Sequence, residues 1–136
     1  MSVAYNKFNC FVADVANKVH NFSSDTFTVA LTNFAPVATN TVQGNITEIS
    51  YTNCSSRNIT ITSSTQTSGL YSFIATVLTL TASGTVGPFR YVAIYNSTAS
   101  GKNLIGWYDY GSSITLASGN TFTISFDQTN GILQIQ

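Results

Sequence analysis

The spacing of apolar side chains changes once along the chain, near residue 25, and this change constrains the fold more than any other feature. Before it, five apolar side chains recur at the spacing of one helix face. The five are Phe8, Phe11, Val12, Val15 and Val19. The spacing predicts a helix over about residues 6–19, with Asn6 as its N-cap. Lys18 and His20 then lie near its C-terminal end, where the helix dipole favours cations.

After the change, apolar and hydroxyl residues alternate with a period of two, as in half-buried strands. The alternation is clearest over residues 27–31 and 121–126. Other β-rich runs predict the remaining strands, over residues 59–62, 70–81, 89–96, 104–110, 114–116 and 132–135. The run over 70–81 is apolar on both faces, so we expect this strand to be central and covered on both sides.

The segments between these runs are rich in Gly, Pro, Ser, Thr and Asn, which predicts loops and turns. Residues 33–45 are predicted to form a long loop with one helical turn, residues 63–69 a turn, and residues 96–103 a hairpin loop. Gly111 is predicted to break a strand.

The order of these segments predicts a single domain over residues 1–136. The first helix is expected to pack on an antiparallel β-sandwich or jelly-roll-like barrel of seven to eight strands, which spans about residues 26–136.

The chain carries very little charge. Charged residues make up 7% of it, against roughly 25% in a typical soluble protein. Five Lys and Arg balance five Asp and Glu, so the formal net charge is zero. This balance argues against binding to nucleic acid or to an anionic membrane. Weak electrostatic repulsion favours association of copies, and we expect a homo-oligomer, with a dimer preferred over a trimer.

Targeting signals are also missing from the sequence. The first fifteen residues lack the apolar stretch of a secretory signal. The longest unbroken apolar run, residues 91–95, is far shorter than the about 20 residues of a membrane span. We therefore expect synthesis in a reducing cytoplasm, with Cys10 and Cys54 present as thiols and a single disulfide between them as the alternative.

The residues that support catalysis or metal binding are few and scattered. His20 is the single histidine, and neither Asp14 nor Asp25 completes a recognisable triad motif with it. Cys10, His20 and Cys54 lack the spacing of a metal site. The sequence thus predicts a protein that is not an enzyme, with no catalytic residue, no metal and no cofactor.

One acidic residue lies among aromatic side chains. Asp109 follows Trp107 and Tyr108, and a carboxylate beside aromatic rings is one arrangement that binds sugars. The simpler interpretation is that Asp109 pairs across strands with Arg90 or points to solvent while the rings fill the core. A carbohydrate-binding sandwich using Trp107, Tyr108 and Asp109 remains an alternative.

Several short strings, taken in order and spacing, resemble a family of small virion structural proteins of tailed bacteriophages. They lie at residues 5–8 (YNKF), 27–33 (FTVALTN), 35–36 (AP), 87–91 (GPFRY), 104–116 (LIGWYDYGSSITL), 122–127 (FTISFD) and 130–131 (NG). The similarity runs from about residue 4 to the end of the chain. Residues 53–58 (NCSSRN) depart from the glycine-rich stretch expected there.

The resemblance implies a head decoration or cement protein on the capsid surface of a virion, made in the cytoplasm of the host bacterium. Its partners would be the major capsid protein and further copies of itself. A tail or fibre component is the alternative within virion proteins. The resemblance implies no catalytic residue. The first helix or the loop over residues 33–58 is the expected contact element, since the β core must satisfy its own hydrogen bonds.

Overall fold

The computed structural model describes residues 3–136, and these residues are mainly β, with 47% in strands and 7% helical. Every strand pair is antiparallel. The elements are β1 Tyr5–Lys7, α1 Cys10–Ala16, β2 Phe27–Thr32, a 3-10 turn Gln43–Asn45, β3 Ile61–Thr67, β4 Leu70–Ala75, β5 Leu78–Thr81, β6 Val86–Asn96, β7 Leu104–Leu116, β8 Thr121–Ile124 and β9 Leu133–Ile135. The prediction of a mainly antiparallel β fold with one helix is confirmed, although the strands number nine in the described residues.

The strands form three open sheets. The largest has the order β1-β7-β6-β2, the second β3-β4-β9, and the smallest pairs β5 with β8. No helix within residues 3–136 is long and apolar enough to cross a membrane.

Two groups of buried side chains hold the sheets and helix together. The main core cluster contains side chains from all three sheets, such as Leu31, Phe73 and Leu80, each fully buried. The second cluster lies on the other face of the large sheet and includes Phe8, Ala30 and Leu104. Because both faces of the large sheet are covered, β2 is buried along its whole length, although the alternation predicted a half-buried strand.

The helix is shorter than the apolar spacing predicts. Residues 5–7 pair with β7 as a strand, so Asn6 lies in β1, and the N-cap position is taken by Asn9, which makes no side-chain cap. Val12 is 58% exposed while Phe11 is buried. The stripe of apolar residues therefore runs from the end of β1 through a helix of about two turns and does not form one buried face.

Two predictions in the middle of the chain are wrong. The predicted turn over residues 63–69 is mostly β3, because residues 63–67 pair with β4, and the chain turns at Ser68 and Gly69. The predicted single strand over residues 70–81 is divided into β4 and β5, which belong to different sheets.

Gly111 does not end a strand. It has a φ of +101° and lies inside β7, where the pairing with β6 shifts register between Asp109 and Ile114. A glycine accommodates this left-handed conformation within an irregular part of the ladder. The predicted hairpin loop after β6, the helical turn before residue 46 and the terminal strand are all confirmed.

Candidate binding groove

A groove of about 800 Å³ lies between β8 on one side and β1 and β7 on the other. Its lining combines aromatic, aliphatic and hydroxyl side chains. The lining residues are Val3, Tyr5, Val92, Tyr108, Tyr110, residues 121–127, Gly131 and Ile132. We call this surface the aromatic groove. Its volume falls within the range of about 300–1,000 Å³ that is usual for ligand sites.

Edge-to-face contacts hold the aromatic rings of the groove in place. The ring centroids of Tyr5 and Tyr108 are 5.7 Å apart, and those of Tyr110 and Phe122 are 5.3 Å apart. Gly106, opposite Lys7 in the ladder, leaves the space that the Tyr5 ring fills, since a Cβ there would overlap the ring. Such fixed rings form a rigid apolar floor.

The hydroxyls of Tyr5 and Tyr108 in the groove stay neutral. Burial, with a smaller contribution from Asp127, raises the pKa of Tyr108 to about 12. Burial also raises the pKa of Tyr5. At neutral pH these groups are hydrogen-bond donors and not anions.

Asp127 alone is charged among the described residues that line the groove. Its carboxylate accepts hydrogen bonds from the backbone N–H groups of Thr129 and Asn130, both at 2.8 Å. These bonds hold the pKa of Asp127 below its ordinary value, so the group is ionised at neutral pH. Asp127 stabilises a turn and leaves one negative charge at the groove.

The three residues of the predicted sugar site do not share one surface. Trp107 packs against Phe8, with ring centroids 4.5 Å apart, in the second core cluster. Tyr108 packs with the main core cluster and lines the groove. The alternation of side chains along a strand explains this separation.

The predicted pairing of Asp109 with Arg90 is confirmed. The Arg90 Nε and one Nη donate to the two Asp109 oxygens at 2.8 and 3.0 Å. The guanidinium group holds the pKa of Asp109 below its ordinary value. This carboxylate is engaged in a bidentate ion pair on the surface.

His20 lies in the core and not at the end of the helix, which corrects the expectation from the sequence. Its ring packs among Phe11, Phe22 and Phe27, and its Nδ1 is 3.1 Å from Asn96 Nδ2. Burial lowers the pKa of His20. Its Nε2 is buried with no hydrogen-bond partner within residues 3–136. A neutral ring in this position fills space in the core.

All five acidic side chains are engaged by other groups of the chain. Besides Asp109 and Asp127, Asp14 accepts from Asn103 at 3.0 Å. Asp25 accepts from Asn96 at 2.7 Å. Glu48 accepts from Tyr51 at 2.5 Å. The carboxylates therefore act as structural acceptors.

The two cysteines are free thiols. Burial is the main reason why the pKa of Cys10 is raised to about 11 and why the pKa of Cys54 is also raised. Both are thus protonated at neutral pH. The part of the chain that the structure describes contains no group of three His, Cys, Asp or Glu side chains placed to hold a metal ion.

Three of the four large apolar side chains that are exposed in the described residues lie on α1 and on the loop after β2. Val12 on α1 is 58% exposed, and Phe34 and Val37 in the following loop are 67% and 53% exposed. The backbone N–H of Asn9 donates to the C=O of Ala38 at 2.9 Å, so the start of α1 lies against this loop. We call Val12, Phe34 and Val37 the helix–loop surface.

Comparisons of the chain with protein-family models, with curated proteins and with solved structures find no match. The sequence signals Phe122 through its alternating strand and Tyr108 through its aromatic run. It contains no signal that these side chains meet Tyr5, which is more than a hundred residues away from both in sequence.

Proposed function

We propose that the chain is a virion structural protein of a tailed bacteriophage. It is a decoration or cement protein that binds the outer surface of the head and stabilises contacts between major capsid subunits. One observation supports binding over catalysis: all five carboxylates serve as structural acceptors, while the groove offers aromatic rings and hydroxyls. The virion context is supported by the resemblance of the sequence strings.

A sandwich architecture is part of the proposal. The main core cluster takes side chains from β2 and β6 of the large sheet, from β4 and β9, and from β5 and β8. Three sheets that share one apolar core are packed as layers around it. Such a rigid scaffold suits a protein that has to stay folded on a particle surface.

The helix–loop surface is the proposed contact with the capsid. Its exposed side chains are apolar, and burying them against a partner removes apolar area from water. The sequence predicts that the first helix or the loop over residues 33–58 makes this contact, and the helix–loop surface includes residues of each. Thr, Ser and Asn side chains around them supply neutral hydrogen bonds of the kind found at interface rims.

Stoichiometry in purified particles tests the location. A decoration protein is present in copies comparable to the capsid subunits, so quantitative mass spectrometry of the particles, with heads and tails separated, should find it in the head fraction at that level. A handful of copies confined to tails would contradict the proposal and favour a tail or fibre component.

The contact surface is tested with a pair of exposed valines. Val37→Ser should reduce rebinding to stripped capsids by about tenfold, because it removes an apolar contact at the interface. Val77→Ser is the matched control, since Val77 is 42% exposed and lies outside the helix–loop surface. Equal binding of the two variants would contradict this assignment of the contact.

A further inference from the structure

The outer edge of β8 presents its backbone groups to the aromatic groove. The N–H and C=O of Thr81 bond to Ser55, at 2.8 and 3.1 Å, and therefore point away from β8. Thr81 lies opposite Thr121, and Thr79 lies opposite Thr123. Because bonded and non-bonded pairs alternate in an antiparallel ladder, both of these pairs are non-bonded. The backbone groups of Thr121 and Thr123 thus point away from β5.

A neighbouring hydrogen bond confirms which pairs of the β5–β8 ladder are bonded. The N–H of Ala82 donates to the C=O of Asn120 at 3.0 Å, as expected when even-numbered residues make the ladder bonds. Ser125 continues the alternation on the groove side. Among residues 3–136, the N–H and C=O groups of Thr121, Thr123 and Ser125 have no hydrogen-bond partner.

This edge lacks the features that usually protect an exposed strand. Residues 121–125 (TFTIS) contain no charged residue and no proline, the two commonest means of blocking an edge. The outer edge of β2, in contrast, is covered, because Ile49 donates to Leu31 at 3.1 Å and Ile59 donates to Phe27 at 2.8 Å. An unblocked edge inside a groove is a template for one additional strand.

We propose that the aromatic groove binds an extended segment of the major capsid protein, which pairs with the outer edge of β8 as an added strand. The proposal deepens the proposed function and rests on it. Five residues of β-strand, at about 3.4 Å each, cover the open edge from Thr121 to Ser125. Alternate side chains of the added strand then lie on the floor formed by Phe122 and Tyr110.

The chemistry of the groove defines the segment. Its floor is aromatic and aliphatic, which selects apolar side chains at every second position. Asp127 is ionised and lies at the groove, so an acidic residue near it would be repelled. The expected segment is extended, alternating and free of acidic residues.

The shape of the site favours a different protein over a second copy of this chain. Val3 and Tyr5 line one side of the groove and residues 121–125 line the other. For two copies to pair through this edge, each β8 would have to enter the groove of the other copy past Val3 and Tyr5. An extended segment of another protein meets no such requirement.

The test uses the purified full chain and overlapping peptides that cover the major capsid protein of the same particle, each long enough for one strand. One peptide region should bind, and it should protect the amides of Thr121 and Thr123 from hydrogen exchange. Thr123→Pro should weaken this binding by about tenfold or more, because it removes an N–H that the added strand needs.

Two further variants serve as controls. Thr79→Pro removes an N–H that also points out of the β5–β8 ladder, but on the side away from the groove, so it should bind as the unmodified chain does. Thr123→Ala keeps the N–H and should also bind normally. Circular dichroism and thermal melting report whether each variant folds. If Thr123→Pro does not fold, the exchange measurement on the unmodified chain still tests the inference.

The inference is overturned if no capsid peptide binds, or if binding leaves the amides of Thr121 and Thr123 unprotected. It is also overturned if light scattering shows a dimer that Thr123→Pro dissociates, since the edge then pairs with a second copy. In either case, a copy number in the heads comparable to that of the capsid subunits would still support the proposed function. Absence of the protein from heads contradicts the function itself.

Discussion

A buried histidine is the residue whose surroundings differ most from the sequence-based expectation. Next to a predicted helix end, His20 would be half exposed and would contribute little to stability. In the structure it is 8% exposed and surrounded by phenylalanine rings. We therefore expect His20→Ala to lower the free energy of unfolding by about 2–4 kcal/mol, as for other large-to-small changes in a core.

Protonation of His20 is expected to make stability depend on pH. Because burial lowers its pKa in the folded state, the unfolded chain binds more protons below the ordinary value of about 6.5. Stability should be complete above about pH 7.5 and should fall as the pH drops through about 6.5. Asp14 and Asp25 nearby favour the protonated form and partly offset the loss.

Thermal melting of the unmodified chain and of His20→Gln over this range measures the effect. The glutamine variant does not titrate, so its melting temperature should change less with pH. The lowered pKa values of Asp109 and Asp127 act only below about pH 4 and do not interfere. Parallel pH profiles of the two proteins would show that His20 is not the titrating group.

At the scale of elements, the segment over residues 48–59 closes the outer edge of β2. Tyr51 is central to it: its hydroxyl accepts from the N–H of Leu31 at 2.9 Å and donates to Glu48. Arg57 lies 3.6 Å above the Tyr51 ring and donates to the C=O of Val29 at 2.5 Å. Residues 53–58, which depart from the family resemblance, are part of this cover.

Removal of the Tyr51 hydroxyl tests how much the segment over residues 48–59 stabilises the edge of β2. Tyr51→Phe leaves the Leu31 N–H without its acceptor, and we expect a loss of about 1–3 kcal/mol in the free energy of unfolding. Hydrogen exchange at Leu31 should accelerate. Tyr110→Phe is the matched control, because the Tyr110 hydroxyl has no hydrogen-bond partner among the described residues. The same loss in both variants would contradict the role of the Tyr51 hydroxyl.

Elements whose structure follows from local pattern were predictable, and those decided by distant partners were not. The alternation over residues 27–31 and 121–126 correctly predicts β2 and β8. Residues 63–67, all Ser, Thr and Gln, have turn-like composition but become a strand because β4 lies beside them. Intrinsic preference is weak enough for such pairing to override it.

The candidate site depends even more on distant residues. The aromatic floor could be guessed from the run around Tyr108 and from the alternation around Phe122. The groove exists because β1 pairs with β7 and places Tyr5 beside Tyr108, a register that no local pattern specifies. Likewise, one edge of β8 is open because, among the described residues, the strand pairs only with β5.

For the whole molecule, the balance of charges predicts how the proposed binding to capsids depends on salt. With five cations and five anions, and with acidic groups already engaged within the chain, screening has little interfacial charge to act on. A ligand of the assembled shell stabilises it by about 2.7 kcal/mol per site at a hundredfold excess over Kd. This stabilisation should be nearly the same at low and high salt.

Thermal disruption of stripped capsids, with the protein added back at about 0.05 M and about 0.5 M salt, measures this dependence. The apparent affinity should change by less than about tenfold. A larger loss at the higher salt concentration would mean that the interface is electrostatic. A basic nucleic-acid-binding protein, which loses affinity steeply over this range, provides the contrast for the assay.

The pairing of β1 with β7 also has a consequence for biosynthesis. Tyr5 leaves the ribosome roughly a hundred residues before its partner Tyr108, a delay of about 5–20 s at ordinary rates of chain elongation. During that interval the first strand has no ladder to join, and the Tyr5 ring has no cavity above Gly106 to enter. Completion of the groove is therefore a late event of folding, because its other wall is β8, which is made after β7.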